Sequence, residues 1–446
     1  MNLQNIYSLE DLLVGFIWAV ILLAIGFMVK TTRRDKDLAY KWFMPNLLFK
    51  MGMGFFFGFA FVKILGYGGD TVAYWDGAVK LNNLFWESPT AYLNELFSTP
   101  SRDTINVNFN YETGFPPGWI YNEPESFFVS KVLSIFGLVT FNSFTALTFI
   151  CSYFAAIASF RLFQLVRKYL FTKEVYMAIA TMFIPTVAFW CSGISKDTMT
   201  LLGLYFLLYY LFALFDSSRK FTFSNFIWVT FFIWFTYQMR PFMIVAIFIP
   251  LTFSFGFGYL NRLKSRFIVA SFKFIVILAS LGVITYVTIN DVIPMGLGEE
   301  YIEELAISQQ DFATNTTYGG PRYDIGISEF SPAVMVTSMP LAIFTGLYRP
   351  FLWEAEGPLL LMSGLENLSL ILLTIGFFFK RGNIKEHLRY VTENEFLVFA
   401  LIFALLFAFF IGFSVGLFNV LVRFKAPLLA FLLLVLISRK PTTTQL

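Results

Sequence analysis

Apolar runs close to the length of a bilayer crossing recur from one end of this chain to the other. That recurrence restricts the fold more than any other feature. A run of about 20 apolar residues matches the thickness of the hydrocarbon core. Inside the core every backbone N–H and C=O has to be paired within the protein, which leaves helices. Runs of this kind lie at 12–29, 43–66, 140–163, 174–192, 198–215, 224–238, 241–259, 267–288, 357–379, 396–414 and 419–438. The chain is 57% hydrophobic and 20% aromatic, with 14% charged residues, which fits the same reading. The expectation is an all-α polytopic membrane protein with about eleven transmembrane helices, built as one integrated membrane domain over 1–446.

Charge orients the expected bundle. The first 11 residues are polar and acidic, with no basic start, so a cleavable signal peptide is not expected. The first run ends at Lys30 and the cluster Arg33-Arg34-Asp35-Lys36. This places the N-terminus outside and, by alternation, the C-terminus in the cytoplasm. More than half of the Lys and Arg then fall on inner segments, among them Arg167-Lys168, Arg219-Lys220, Lys380-Arg381 and Arg439-Lys440. Most of the acids fall outside.

Several function classes recede. A net charge of +3 is too small for a nucleic-acid partner. Cys151 and Cys191 sit in apolar stretches with neither disulfide nor metal spacing. The one histidine, His387, falls in a basic inner loop. No Walker A sequence is present, so a nucleotide-driven pump is not expected.

Two outer loops are long. The first covers 67–126 and is followed, at 125–137, by apolar residues at helical spacing that fit a surface helix. The second covers 289–335 and carries the acidic run Glu299, Glu300, Glu303 and Glu304. After it, 333–348 is apolar but short and interrupted by proline, which fits a re-entrant or interfacial segment.

Polar clusters on the expected outer side hold the chemistry. They are Asp70, Tyr74 and Asp76; Glu123 and Glu125; Ser192 to Asp197 with Lys196; Arg240; and Arg349 with Trp353, Glu354 and Glu356. Arg423 and Lys425 lie near the last span, and Glu366 lies within the ninth. An ionisable group at membrane depth costs several kcal/mol unless it is paired or faces water. Guanidinium groups suit phosphate, and carboxylates suit removal of a proton from a sugar hydroxyl. Tyr74, Trp75, Trp119 and Trp353 suit the apolar faces of sugar rings. Structural roles compete with each of these. Glu123 and Glu125 flank a proline at a helix start, where acids favour the dipole. Lys196 and Asp197 suit a local pair closing a turn, and Arg240 and Arg349 suit anchors that snorkel. Glu366 suits a bond to a neighbouring helix.

Two leading spans followed by Gly-Gly-Asp70-Thr-Val-Ala-Tyr74 resemble the opening of bacterial exopolysaccharide and O-antigen polymerase-type membrane proteins, within or near the C-type (GT-C) glycosyltransferase superfamily. Asn122-Glu123-Pro124-Glu125 is similar to their Glu-Pro stretch ahead of the third span. Phe189 to Asp197, Tyr348 to Glu354, and Val422-Arg423-Phe-Lys-Ala-Pro427 resemble further short motifs of the same proteins. The chain departs from the superfamily in placing its acidic loop after the second span.

The resemblance implies a glycosyltransferase at the outer face of the bacterial inner membrane. Its substrates would be polyprenyl-pyrophosphate-linked glycans, and its action would polymerise surface polysaccharide repeat units. Asp70 is the first choice for the acceptor-activating base and Glu123 the second. Arg240, Arg349 and Arg423, with Lys196 assisting, would bind the pyrophosphate. Tyr74 and Trp353 would line the sugar site, and Asp76, Glu125, Asp197 and Glu354 would complete it. The scheme requires no metal or other cofactor, and the outer acids leave room for a divalent ion. Other polysaccharide-assembly membrane proteins are natural partners. A transferase adding a single sugar from a polyprenyl-phosphate donor is one alternative, and a transporter or flippase of lipid-linked sugars is another.

Overall fold

The computed structural model describes residues 5–35, 37–101, 104–215, 222–261, 319–326, 332–379 and 384–438, with 307, 310–312 and 314. These residues are helical almost throughout, and among them the only extended pairing is an isolated antiparallel bridge between Arg322 and Leu417. In chain order the helices are α1 (Leu9–Arg34), α2 (Phe43–Phe59), α3 (Gly69–Glu87), α4 (Pro89–Phe97), α5 (Pro124–Gly137), α6 (Phe144–Tyr169), α7 (Glu174–Met182) and α8 (Pro185–Trp190). They continue with α9 (Lys196–Phe215), α10 (Phe223–Met239), α11 (Pro241–Asn261), α12 (Pro332–Tyr348), α13 (Pro358–Phe379), α14 (Ile384–Glu393), α15 (Glu395–Ser414) and α16 (Phe418–Ile437).

Seven helices among the described residues are long and apolar enough to cross a membrane. They are α1, the segment Leu38–Ile64 that contains α2, α6, α9, α13, α15 and α16. The protein is therefore a polytopic membrane protein, with fewer qualifying helices than the sequence reading. The reasons are local. The run 174–192 is split into α7 and α8, with Pro185 opening the second piece. α10 is helical over 17 residues, and the run 267–288 lies outside the described residues. Residues 299–304 and most of 289–335 also lie outside them. Residues 67–126, between spans, are largely helical and contain α3 and α4.

Sequence signals set the helix ends. Ser8 caps α1 through a bond from the Asp11 N–H, Glu10 and Asp11 occupy its first turn, and Arg33 and Arg34 its last, all favourable to the helix dipole. Ser88 caps α4 with Pro89 at its first position. Asn394 caps α15.

The chain forms two compact units. The first comprises Met1–Leu165, Thr181–Phe183 and Val187–Pro241; the second comprises Val166–Ala180, Ile184–Thr186 and Phe242–Leu446. In the first unit Asp11 is buried and accepts bonds from the Ser143 and Thr145 hydroxyls, both at 2.6 Å, tying α1 to the start of α6. α3 packs on α5. The Ser130 hydroxyl donates to the Tyr74 carbonyl at 3.0 Å, and the side chain of Asn82 lies against Gly137. Both contacts advance together along the chain, so α3 and α5 run parallel and begin at the same end.

In the second unit α12 packs closely on α15. A Cβ on Gly346 would strike the Ala408 carbonyl, and one on Gly412 would strike the Ala342 carbonyl. Small residues four apart on both helices let the two backbones touch. The order of the contacts makes the pair antiparallel. Pro340 sits inside α12 without ending it.

Candidate functional site

Four of the residues singled out in the sequence meet in the first unit. Lys196 opens α9 and Glu125 lies in the first turn of α5; the Lys196 Nζ donates to the Glu125 carboxylate at 2.6 Å. Asp197 follows Lys196 and accepts from Arg240 Nη2, also at 2.6 Å. Asp197 and Arg240 are buried. Thus Lys196 and Asp197 do not close the turn as a local pair. Each reaches a different segment and pins it to the start of α9. Glu123 and Arg240 also act electrostatically on Lys196. Glu123 is exposed, caps the start of α5 and accepts a 2.8 Å bond from the Ser126 hydroxyl.

Asp70 lies in the first turn of α3, half-buried. It stands one turn before Tyr74, as Ser126 stands one turn before Ser130. The Tyr74–Ser130 bond therefore puts Asp70 at the same end of the helix pair as Glu123 and Glu125. Burial, and second the Asp70 charge, raise the Tyr67 hydroxyl above its ordinary value. Asp76 is one and a half turns further along, 4.0 Å from Lys80. Burial holds its carboxyl above the usual range, against the pull of Lys80. Tyr74 is 2% exposed and sits inside the helix packing, where no sugar ring has access to it without rearrangement.

Beside this cluster the first unit encloses a cavity of about 980 Å³, lined by residues of α5, α6, α9 and α10 and by Leu96–Pro100. Its walls include Phe128, Trp228, Phe231, Phe232, Trp234 and Phe235. Glu125, Gln238 and Lys131 are among its few polar lining residues. Lys131 is 4% exposed, and its Nζ donates to the Ser98 carbonyl at 2.6 Å. Glu95, fully buried on α4, also acts on Lys131, while its own carboxylate accepts bonds from Asn108 and from the Tyr121 hydroxyl. Burial lowers the Lys131 amine to about 8. Sequence reasoning passed over Lys131. The available signal was a single cation inside Phe127-Phe128-Val129-Ser130-Lys131-Val132-Leu133, a stretch with no other charge.

The remaining candidates lie in the second unit. Arg349 makes a two-pronged pair with Glu354, with Nε 3.0 Å and Nη2 2.5 Å from Oε1. Its guanidinium lies 4.9 Å from the Tyr323 ring centroid and 5.1 Å from that of Phe418. Glu354 also accepts the Phe351 N–H at 2.8 Å. Trp353, on the turn Leu352–Glu354, stacks on Phe351 and is 82% exposed. Lys425 is buried in α16; it donates to Asn367 at 2.7 Å and to the Arg349 carbonyl at 3.3 Å. Arg423 is half-buried two residues earlier. Glu366 accepts from the Thr186 N–H at 2.9 Å and from the Thr186 hydroxyl, so it binds a neighbouring helix.

The candidates thus gather in two groups. Glu123, Glu125, Lys196, Asp197 and Arg240 form one, with Asp70 at the same helix end. Arg349, Glu354 and Lys425, with Trp353 and Arg423 nearby in sequence, form the other. No family model, curated protein or solved structure matches the chain.

Proposed function

We propose that the protein is a membrane glycosyltransferase acting on polyprenyl-linked sugars at the outer face of the bacterial inner membrane, and that it polymerises surface polysaccharide repeat units. The observation that carries this reading is the first-unit cluster. Lys196 and Arg240 are held by Glu125 and Asp197 where α5 and α9 begin, next to an aromatic cavity. Two fixed cations and the N-terminal ends of helices favour an anion such as pyrophosphate. The apolar cavity offers space for the chain that carries it.

In this reaction the acceptor sugar's hydroxyl oxygen bonds to the donor's anomeric carbon. Glu123, exposed and close to Lys196, accepts the hydroxyl proton. The bond from the anomeric carbon to the phosphate oxygen breaks with its electron pair. The departing pyrophosphate places its charge against Lys196 and Arg240, which were oriented beforehand. Asp70, at the same helix end, is the second carboxylate able to take the proton.

The test replaces groups that the fold tolerates losing. Removing Arg240 would strand Asp197 as a buried charge, at a cost of about 3–5 kcal/mol, so a change there would confound folding with function. Glu123→Gln and Lys196→Gln avoid this, since Glu123 is exposed and Glu125 is half-exposed. In producing cells both variants should reach the membrane and leave surface glycan short or absent on gels. Unchanged length and amount in both would exclude the scheme. Addition of one sugar by the purified wild-type protein, with no chain growth, would assign the single-sugar transferase instead.

A further inference from the structure

Lys131 is buried, charged in its ordinary state, and supplied with one neutral acceptor, the Ser98 carbonyl. Among the described residues no carboxylate lies within ion-pair distance of it; Glu95, whose charge favours the ammonium from further away, takes its own hydrogen bonds from Asn108 and Tyr121. A buried ammonium without a paired anion is costly, and it has further N–H donors to spend. It lines the same cavity as Phe128, Trp228 and Trp234, and its nearest ring, Phe127, lies 5.6 Å away. A large apolar cavity lined by a lysine with no carboxylate in direct contact has the character of a site for an amphiphile with an anionic head.

We propose that Lys131 binds the carrier-side phosphate of a long-chain polyprenyl phosphate whose chain lies along the aromatic wall of this cavity. The inference rests on the reading above for the identity of the carrier, and adds a phosphate contact to it. Glu125 and Lys131 both line the cavity and are six residues apart on α5. The separation is about 9 Å along the helix. In this proposal Lys196, which meets Glu125, takes the sugar-side phosphate and Lys131 the chain-side phosphate of one pyrophosphate. Trp228, Phe231 and Trp234 are each about two-fifths exposed, leaving the chain an entry from the hydrocarbon.

The experiment measures binding by the full-length protein in detergent or nanodiscs, without turnover. The probes are polyprenyl monophosphate, polyprenol of the same length, phosphatidic acid and inorganic pyrophosphate. The wild type should bind polyprenyl phosphate at least tenfold tighter than polyprenol. Lys131→Gln should erase that preference while leaving polyprenol affinity unchanged, and Lys131→Arg should keep it. A folded Lys131→Gln protein that retains the preference overturns the proposal. Equal binding of phosphatidic acid, or of inorganic pyrophosphate alone, overturns it as well, by assigning the site to bulk lipid or to a free anion. A photoreactive group next to the phosphate should label residues 124–132 in the wild type, a readout that does not depend on any variant folding; labelling elsewhere refutes the placement. Binding that depends on Lys131 in a protein that elongates no glycan would defeat the proposed function and leave this site standing. Elongation with no effect of Lys131→Gln on binding would do the reverse.

Discussion

Lys131 carries a stability cost whose pH dependence can be worked out. Burial lowers its amine from 10.5 to about 8, so the folded protein disfavours the charged form. The cost is fully present below about 8 and fades as pH rises towards 10.5, where the unfolded chain also loses the proton. A shift of this size corresponds to about 3 kcal/mol. Unliganded Lys131→Gln should therefore melt at a higher temperature than the wild type at pH 7, and the gap should close as pH approaches 10. Polyprenyl phosphate, which pairs the charge, should narrow the gap at pH 7. A gap that is flat with pH would mean that Lys131 is already compensated. Three of the other cations contrast with it: Arg240 has Asp197, Lys196 has Glu125, and Arg349 has Glu354 with two aromatic rings. Lys425, buried like Lys131, is held by the neutral acceptors of Asn367 and the Arg349 carbonyl. Which residues carry charge was legible in the sequence. Who pairs with whom was not, because Lys196 and Asp197 are adjacent in sequence yet point to segments about 70 residues before and 40 residues after them.

At the scale of elements, the tightest constraint is the α12–α15 contact. Gly412 faces the Ala342 carbonyl and Gly346 the Ala408 carbonyl, and in each case the obstacle is backbone. Backbone cannot rotate aside as a side chain can, so even one methyl forces the helices apart. Gly412→Ala should lower the melting temperature clearly. Gly376→Ala on α13 should not, because a Cβ there meets nothing within 4 Å. Equal effects at both positions would show that helix propensity and not contact sets the cost. The antiparallel pairing also bears on α12 itself. It ends at Tyr348, and the carbonyl of the next residue, Arg349, meets Lys425, well inside α16 and not at its end. α12 is a helix of 17 residues followed by a turn into α13. The proline at 340 was the misleading signal. Its lost N–H bond is tolerated within a helix packed along α15. Helix positions in the other long runs were legible because hydrophobic length alone determines them. The helices within 67–126 were not, since α3 mixes polar and apolar residues and owes its order to packing on α5.

For the whole molecule, the open question is which face of the membrane each segment meets. The proposed site requires the start of α5 and the residues before it to lie outside, and the basic segment around α14 to lie inside. Both native cysteines, Cys151 and Cys191, are buried, so introduced cysteines can be read against a low background. Tyr111 is 98% exposed in the segment between α4 and α5, and Glu386 is exposed on α14. Tyr111→Cys should react with a membrane-impermeant maleimide in intact spheroplasts. Glu386→Cys should react only after the membrane is opened. The positive-inside bias favours this assignment. The reverse labelling pattern would place Glu123, Lys196 and Arg240 in the cytoplasm. There the polymerase reading fails and a cytoplasmic transfer reaction takes its place. Labelling of both positions from one side would instead mean that an odd number of crossings does not separate them. In that case the number of crossings between them would have to change by one, as it would if the split run formed by α7 and α8 crossed the membrane.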